Sequence, residues 1–260
     1  KEFLQNAAMN GINSLRKLDF ITFSPDGAIS PTESGSLMAR YCINFNTMET
    51  FSRLKGDESL IDLLATISAS REFSDVQLRV KEKGSLNLLN KNKNGPVVRY
   101  PFKDRIKTGE MKISILIQSV LGCIQIDDFS LNQESIRIVQ VAARVSKCLL
   151  EYQSLKPSFQ CYVNCLLLMK CLNCKLWENT KFVARQFKNV GPMLGNLLAN
   201  AGIVTLQKIV STDPRELELI TNKNPPFGTT LVDQVSVMPR YDLFVQQTGD
   251  LDKSHATLQV

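Results

Sequence analysis

Residues 161–174 read C-Y-V-N-C-L-L-L-M-K-C-L-N-C and hold four of the chain's seven cysteines. Their reading decides the fold, because clustered thiols organise either a metal-built module or part of a core. Apolar residues recur at spacings of three and four across 159–176, which predicts a helix. Set Cys161 at zero on that helix. At ~100° per residue, Cys165 falls at about 40°, Cys171 at about −80° and Cys174 at about −140°. The sulfurs then spread over about half the circumference and roughly 20 Å of axis. One zinc needs its ligands at about 2.3 Å, so the spacing excludes a shared metal site. Cys171 and Cys174 have the C-x-x-C spacing of a redox pair, but no thioredoxin-like βαβ pattern surrounds them. With Leu166, Leu167, Leu168 and Leu172 alongside, the cysteines are expected to act as small hydrophobes in a buried helix.

Helical patterning extends outward from this segment in both directions. Periodic runs predict helices over 34–54, 60–69, 77–90, 111–122 and 132–153. Smaller ones follow at 182–189, 192–200, 205–210 and 214–221, with Pro192 and Pro214 at first-turn positions and Asp213 as a cap. Near the start, 11–20 is helical and I-T-F-S-P-D-G-A-I-S-P-T (21–32) reads as a hairpin turning at Ser24-Pro25-Asp26-Gly27. A helix followed by a two-stranded wing points to the tail of a winged-helix domain. Thr32 or Ser34 is placed to cap the helix that follows. N-P-P-F-G (224–228) is expected to end the helical part and lock its module to a neighbour, with strands at 235–237 and 241–247. The fold class is therefore mainly α.

Composition narrows the function classes. The chain has 260 residues, 43% hydrophobic and 22% charged, enough to bury a core. It opens on Lys1, and the expectation is a fragment of a longer protein. There is no cleavable signal pattern, and an odd number of irregularly spaced cysteines fits a reducing compartment. The longest apolar run, 113–126, carries Gln118 and Gln125 and is too short to cross a membrane. The only histidine is His255, and no G-x-x-x-x-G-K-[ST] loop cradles a nucleoside triphosphate. D-E-S-L (57–60) begins like a helicase acidic box but has no strand before it, so it is read as a helix cap. No catalytic residue, metal or cofactor is expected in this stretch.

The net charge of +6 is uneven: 71–112 holds eleven Lys/Arg against five Asp/Glu, and 151–208 seven against two. Such segments suit a nucleic-acid partner or a solvated surface. The basic, Gly/Pro-punctuated stretch 91–110 reads as an exposed loop. The informative helix is 132–153. With Arg137 at zero, Gln133, Gln140, Arg144, Lys147 and Glu151 all fall within a stripe about 80° wide, and Ile138, Val139, Ala142, Val145, Leu149 and Leu150 lie opposite. A stripe of this kind either is an ordinary solvated face or lies along a phosphate backbone.

In order along the chain come S-P-T-E-S-G-S-L-M-A-R-Y-C-I-N-F-N-T-M, I-S-A-S-R-E-F-S-D-V-Q-L-R, L-I-Q-S-V-L-G and D-D-F-S-L-N-Q-E. A-A-R-V, K-L-W-E-N-T, V-G-P-M-L-G-N-L-L-A-N-A-G-I, D-P-R-E-L-E-L-I and N-P-P-F-G follow. On these residues the chain resembles the Sec-sixty-three homology region of Ski-two-like superfamily 2 helicases. R-I-K-T-G-E-M-K-I-S-I-L-I-Q-S-V-L-G-C-I-Q-I-D-D-F (105–129) looks most like the meiotic crossover DNA helicase branch. Behind the winged-helix remnant read from the pattern (1–33), the resemblance implies a helical bundle with a long "ratchet" helix (34–178), a helix-hairpin-helix-like module (179–228) and the start of an immunoglobulin-like β-sandwich (229–260). It places the ratchet helix at 132–153 and implies single-strand contacts from Arg137, Gln140, Arg144 and Lys147, with Arg144 at the family's strand-contacting arginine. It marks Gly202, Thr205 and Lys208 as hairpin phosphate contacts, although N-A-G-I-V-T has one glycine where the strict pattern has two.

The function so implied is a non-catalytic accessory region of a nuclear, ATP-dependent DNA helicase in meiotic recombination and crossover formation. ATP and Mg would belong to the parent helicase. The partners would be single-stranded DNA, branched recombination intermediates and other recombination proteins, with no membrane. The alternatives are a scaffold that docks proteins and the equivalent region of an RNA helicase. Salt dependence separates the scaffold from phosphate binding. Competition between DNA and RNA strands separates the two helicases.

Overall fold

The computed structural model describes residues 2–93, 95–239, 244, 246–247 and 258–259. The chain divides into two units, Lys1–Phe182 and Val183–Val260. It is mainly helical, as the patterning predicts.

The first unit opens with α1 (Glu2–Lys17) and the antiparallel hairpin β1 (Ile21–Phe23) and β2 (Ile29–Pro31), paired Ile21 to Pro31. The turn is the expected one: Gly27 N donates to Ser24 O at 2.9 Å, and Gly27 has φ +83. Seven helices follow: α2 (Glu33–Arg40), α3 (Phe45–Ser52), α4 (Leu60–Ser68), α5 (Lys83–Asn90), α6 (Gly109–Leu121), α7 (Phe129–Ser154) and α8 (Phe159–Cys174). Thr32 caps α2 by accepting from Gly35 N at 3.1 Å. Gly35 lets that helix touch the hairpin, since a Cβ there would sit 1.9 Å from Phe20 O. Ser59 and Asp62 form a capping box at α4, so D-E-S-L is a helix start.

The core of this unit is built on α6. Its residues from Lys112 to Ser119 are all buried, which explains why the run is apolar on every side. α7 packs against α6 and α8 with Ile138, Val145 and Leu149, all at most 1% exposed. In α8, Cys161, Cys165 and Cys171 enter the same core, while Cys174 is exposed. Burial pushes the Cys161 thiol up to about 11 and Cys171 to about 12, and raises Cys165 as well. These sulfurs therefore stay protonated near neutral pH and pack as small apolar groups. Among the described residues, no group of three or more His, Cys, Asp or Glu is arranged to hold a metal ion.

Several sequence expectations are corrected here. The run 34–54 is two helices, because Cys42 turns left-handed (φ 48) and Ile43 N closes back onto Met38 O at 3.0 Å. Asn44 then caps α3 through Asn46 N. The stretch 77–90 starts with a 3₁₀ turn, Val80–Glu82, because the Glu82 carboxylate accepts from Arg79 N at 3.1 Å and tightens the entry.

The second unit begins with a 3₁₀ turn, Val183–Gln186, in place of the predicted helix 182–189, and Asn189 (φ 68) ends that stretch. Then come α9 (Pro192–Asn200), α10 (Leu206–Ser211), α11 (Pro214–Thr221) and α12 (Phe227–Ser236). The strand reading of 235–237 is overturned. Val235 lies in α12 and, with Leu231, packs into the core that also holds Leu198, Ile209 and Leu217. The helical part thus continues past N-P-P-F-G. That motif ties α12 to α11: a Cβ on Gly228 would lie 1.9 Å from Pro214 O, and Gly228 N donates to Glu218 Oε1 at 2.9 Å. The described β structure here is one antiparallel pair, β3 (Gln246–Gln247) with β4 (Leu258–Gln259). The predicted strand 241–247 and the immunoglobulin-like sandwich otherwise lie outside the described residues.

Candidate nucleic-acid interface

α7 carries the stripe. Asp128 caps it, accepting from Leu131 N at 3.0 Å, so the helix starts one turn before the periodicity predicts. At 26 residues it is about 39 Å long. Its inner face is anchored by charge as well as by apolar packing. Glu134 reaches the fully buried Lys112 Nζ at 2.7 Å, which also meets Glu82 Oε2 at 2.7 Å and donates to Gln77 O at 3.0 Å. One ammonium thus joins α6, α7 and the entry to α5. The rotation of α7 follows, and with it the direction of the stripe.

Gln133, Arg137, Gln140, Arg144 and Lys147 are all exposed, and Glu151 is half-buried. Their surroundings differ. Arg144 Nη1 donates to the carbonyls of Tyr41 and Cys42 at 3.1 and 3.2 Å. These carbonyls sit just past the C-terminus of α2, where the helix dipole favours a cation. The left-handed turn at Cys42 aims both at one guanidinium. A guanidinium has five N–H donors, so three remain for a ligand. Glu151 is taken by α2: Arg40 pairs with it at 3.0 Å and the Tyr41 hydroxyl donates to it. That bond to a carboxylate raises the Tyr41 hydroxyl above its ordinary value. Arg137 pairs with Asp75 and, through that hydrogen bond, holds its carboxyl below the ordinary value. Among the described residues, the side chains of Gln140 and Lys147 have no hydrogen-bond or ion-pair partner.

The stripe is therefore a row with Arg144 fixed at its centre, flanked by the unpartnered Gln140 and Lys147. The Arg137–Asp75 pair is exposed on both sides, 63% and 53%. Such pairs contribute about 0–1 kcal/mol, so an incoming phosphate can displace Asp75 cheaply. Asp75, Tyr41 and Cys42 were not legible as parts of this face. They lie 62 to 103 residues away in sequence, and nothing local marks them.

At the hairpin, Gly202 takes φ +82 and closes α9, with Ile203 N donating to Leu198 O at 2.9 Å. The amides of Gly202, Ile203 and Val204 all donate to backbone carbonyls. Thr205 caps α10 by accepting from Lys208 N at 3.1 Å, and the Lys208 side chain is exposed. The cap bond brings Thr205 and Lys208 together, and the turn at Gly202 uses the amides that hairpins of this type offer to phosphate.

The Sec63 Brl domain family matches residues 31–259, and the chain belongs to that family. The chain is 44% identical over 245 residues to "Probable ATP-dependent DNA helicase HFM1" of Xenopus tropicalis, covering 94% of this chain and 18% of that protein. It is 43% identical over 245 residues to the human protein of the same description, covering 94% and 17%. It is 32% identical over 256 residues to "ATP-dependent DNA helicase MER3 homolog" of rice (Oryza sativa subsp. japonica), covering 95% and 21%. The chain thus spans about a fifth of the length of these relatives. Among the described residues, no helix is long and apolar enough to cross a membrane.

Proposed function

We propose that this chain is a non-catalytic accessory region of an ATP-dependent DNA helicase that acts in the nucleus during meiotic recombination and crossover formation. In this reading α7 is the ratchet helix and guides one DNA strand, with Arg137, Gln140, Arg144 and Lys147 as contacts. ATP and Mg act on other parts of the parent protein. Branched recombination intermediates supply the strand, and other recombination proteins are its partners.

The observation that carries the reading is Arg144. Two backbone carbonyls hold it exposed at the centre of the row, with donors to spare. A side chain fixed in advance loses less entropy on gripping a phosphate. Relatives described as ATP-dependent DNA helicases supply the prior for DNA as the substrate. Gly202, Thr205 and Lys208 play a smaller part, with Lys208 as a charge contact beside a turn whose amides are largely spent.

The test is fluorescence anisotropy of a labelled single DNA strand, with wild type and Arg144→Ala at low and high salt. Salt-sensitive binding that weakens in the variant supports the reading. Binding indifferent to both salt and Arg144 overturns it in favour of a protein-docking scaffold. A tighter RNA strand in direct competition would reassign the substrate.

A further inference from the structure

The basic stretch after α5 is not a free loop. Asn90, 1% exposed, accepts from Phe102 N at 2.7 Å and donates to Phe102 O at 3.0 Å. Asn87 accepts from Ile106 N at 3.1 Å, and Val98 N donates to Leu89 O at 3.1 Å. Val98 and Ile106 are buried at 2%. Gln118 of α6 bonds both the N–H and the carbonyl of Tyr100, at 2.7 and 3.2 Å. Arg99 stacks on Trp177 at 5.0 Å and pairs with Glu178 at 2.7 Å. Asparagine and glutamine amides strap the segment onto α5 and α6.

This strapping creates a cleft of about 590 Å³ lined by Lys83, Lys91, Lys103 and Arg105 against a single carboxylate, Asp104. All four cations are exposed. Arg40, Arg53, Arg79, Arg99, Lys112 and Arg137 each pair with a carboxylate, but among the described residues none of these four does. Lys91 Nζ alone is engaged, donating to the Lys103 carbonyl. Like charges held side by side on an ordered backbone repel one another, and an anion relieves that repulsion.

Among the described residues, the lining contains no aromatic ring and no large apolar side chain. Bases therefore have nothing to stack on, and a peptide has no socket for the apolar anchor that usually dominates its binding. Phosphate recognition needs neither. We propose that the cleft is a second nucleic-acid contact, which holds the sugar–phosphate backbone without regard to sequence and shares no residue with α7.

The test uses the 260-residue chain, a labelled single strand and the duplex of the same sequence. Lys83→Ala/Lys103→Ala/Arg105→Ala is compared with Lys81→Ala/Lys93→Ala/Lys107→Ala, which removes the same charge from exposed lysines outside the cleft. Circular dichroism checks that both variants fold. Losing three phosphate contacts lowers the salt slope by about 2 for a single strand or about 2.7 for duplex. Between 50 and 200 mM salt, wild-type affinity should then fall about 20- to 40-fold further than that of the cleft variant. The arm with the larger change identifies the form of nucleic acid held. Equal losses in the two variants, or none in either, overturn the proposal. So does a cleft variant that keeps nucleic-acid binding but loses poly-glutamate binding, which would assign the cleft to an acidic protein. Arg144→Ala in the same titration keeps the outcomes separate, since a failure on α7 leaves the cleft result standing.

Discussion

The stripe on α7 and the cleft beside α5 both present cations to solvent, but the protein holds them in opposite ways. On α7 three charged side chains are tied, Arg144 to two carbonyls, Arg137 to Asp75, and Glu151 to Arg40 and Tyr41, while among the described residues the side chains of Gln140 and Lys147 have no partner. In the cleft the backbone is tied, through Asn87, Asn90 and Gln118, and among the described residues no carboxylate pairs with the charged ends. A fixed guanidinium reads position. Lysines without a carboxylate partner supply charge but lose up to about 2 kcal/mol each of rotamer entropy when ordered. The first arrangement suits guiding a strand in register. The second suits holding a backbone anywhere along its length.

The largest test of this contrast strikes both regions at once. Lys112 is completely buried and links Glu134 of α7 to Glu82 at the entry of α5. Lys112→Ala leaves Glu134 without this counter-charge and Glu82 paired only with the exposed Arg79, and denaturant unfolding should show a loss of about 3 kcal/mol. A loss near zero would mean that charge does not set how α7 and α5 are mounted. Next is Asn90→Ala, which strands the Phe102 amide and carbonyl. The expected loss is about 2 kcal/mol, with faster amide exchange confined to the strapped segment. If exchange there is unchanged, the asparagine does not hold the cleft in shape.

Arg144→Ala separates the regions. It should cost about 1 kcal/mol or less in stability, because the site is exposed. Single-strand affinity should drop about tenfold, the change expected for roughly 1.4 kcal/mol, with binding in the cleft unaltered. The smallest effect belongs to Asp75→Asn, which frees Arg137 and should tighten single-strand binding about two- to threefold in anisotropy, under 1 kcal/mol. Its pH signature has a definite sign. The Asp75 carboxyl is held below its ordinary value by Arg137. The pair therefore adds stability above the unfolded value of about 3.9, and the gain disappears as pH falls through the lower folded value. A wild-type minus Asp75→Asn stability difference that stays flat from pH 6 down to pH 2 would remove this pair from the comparison.

Much of the fold was legible because helices are local. The three- and four-residue spacing located α4, α6, α7, α8 and α11, and the caps at Thr32, Ser59 and Asp213 fall where the residue types demand. The errors came where one tertiary contact outweighed local pattern. Val235 and Ser236, strand-like in sequence, are helical because Val235 and Leu231 fill a core shared with α9, α10 and α11, and Val237 is the helix cap. Cys42 breaks a periodic run with a left-handed turn that its own pattern does not show.

The site divides along the same line. By itself the sequence determined that Gln133, Arg137, Gln140, Arg144, Lys147 and Glu151 share a face, because 3.6 residues per turn is a property of the chain alone. It also determined that the cysteines spread too far along one helix to share a metal. Only the tertiary structure decided which of those side chains are engaged, because Asp75, Tyr41 and Cys42 reach α7 across 62 to 103 residues of chain. It alone made a cleft of Lys83, Lys91, Lys103 and Arg105. Buried amides of α5 and α6 had to find their backbone partners before those charges could stand together.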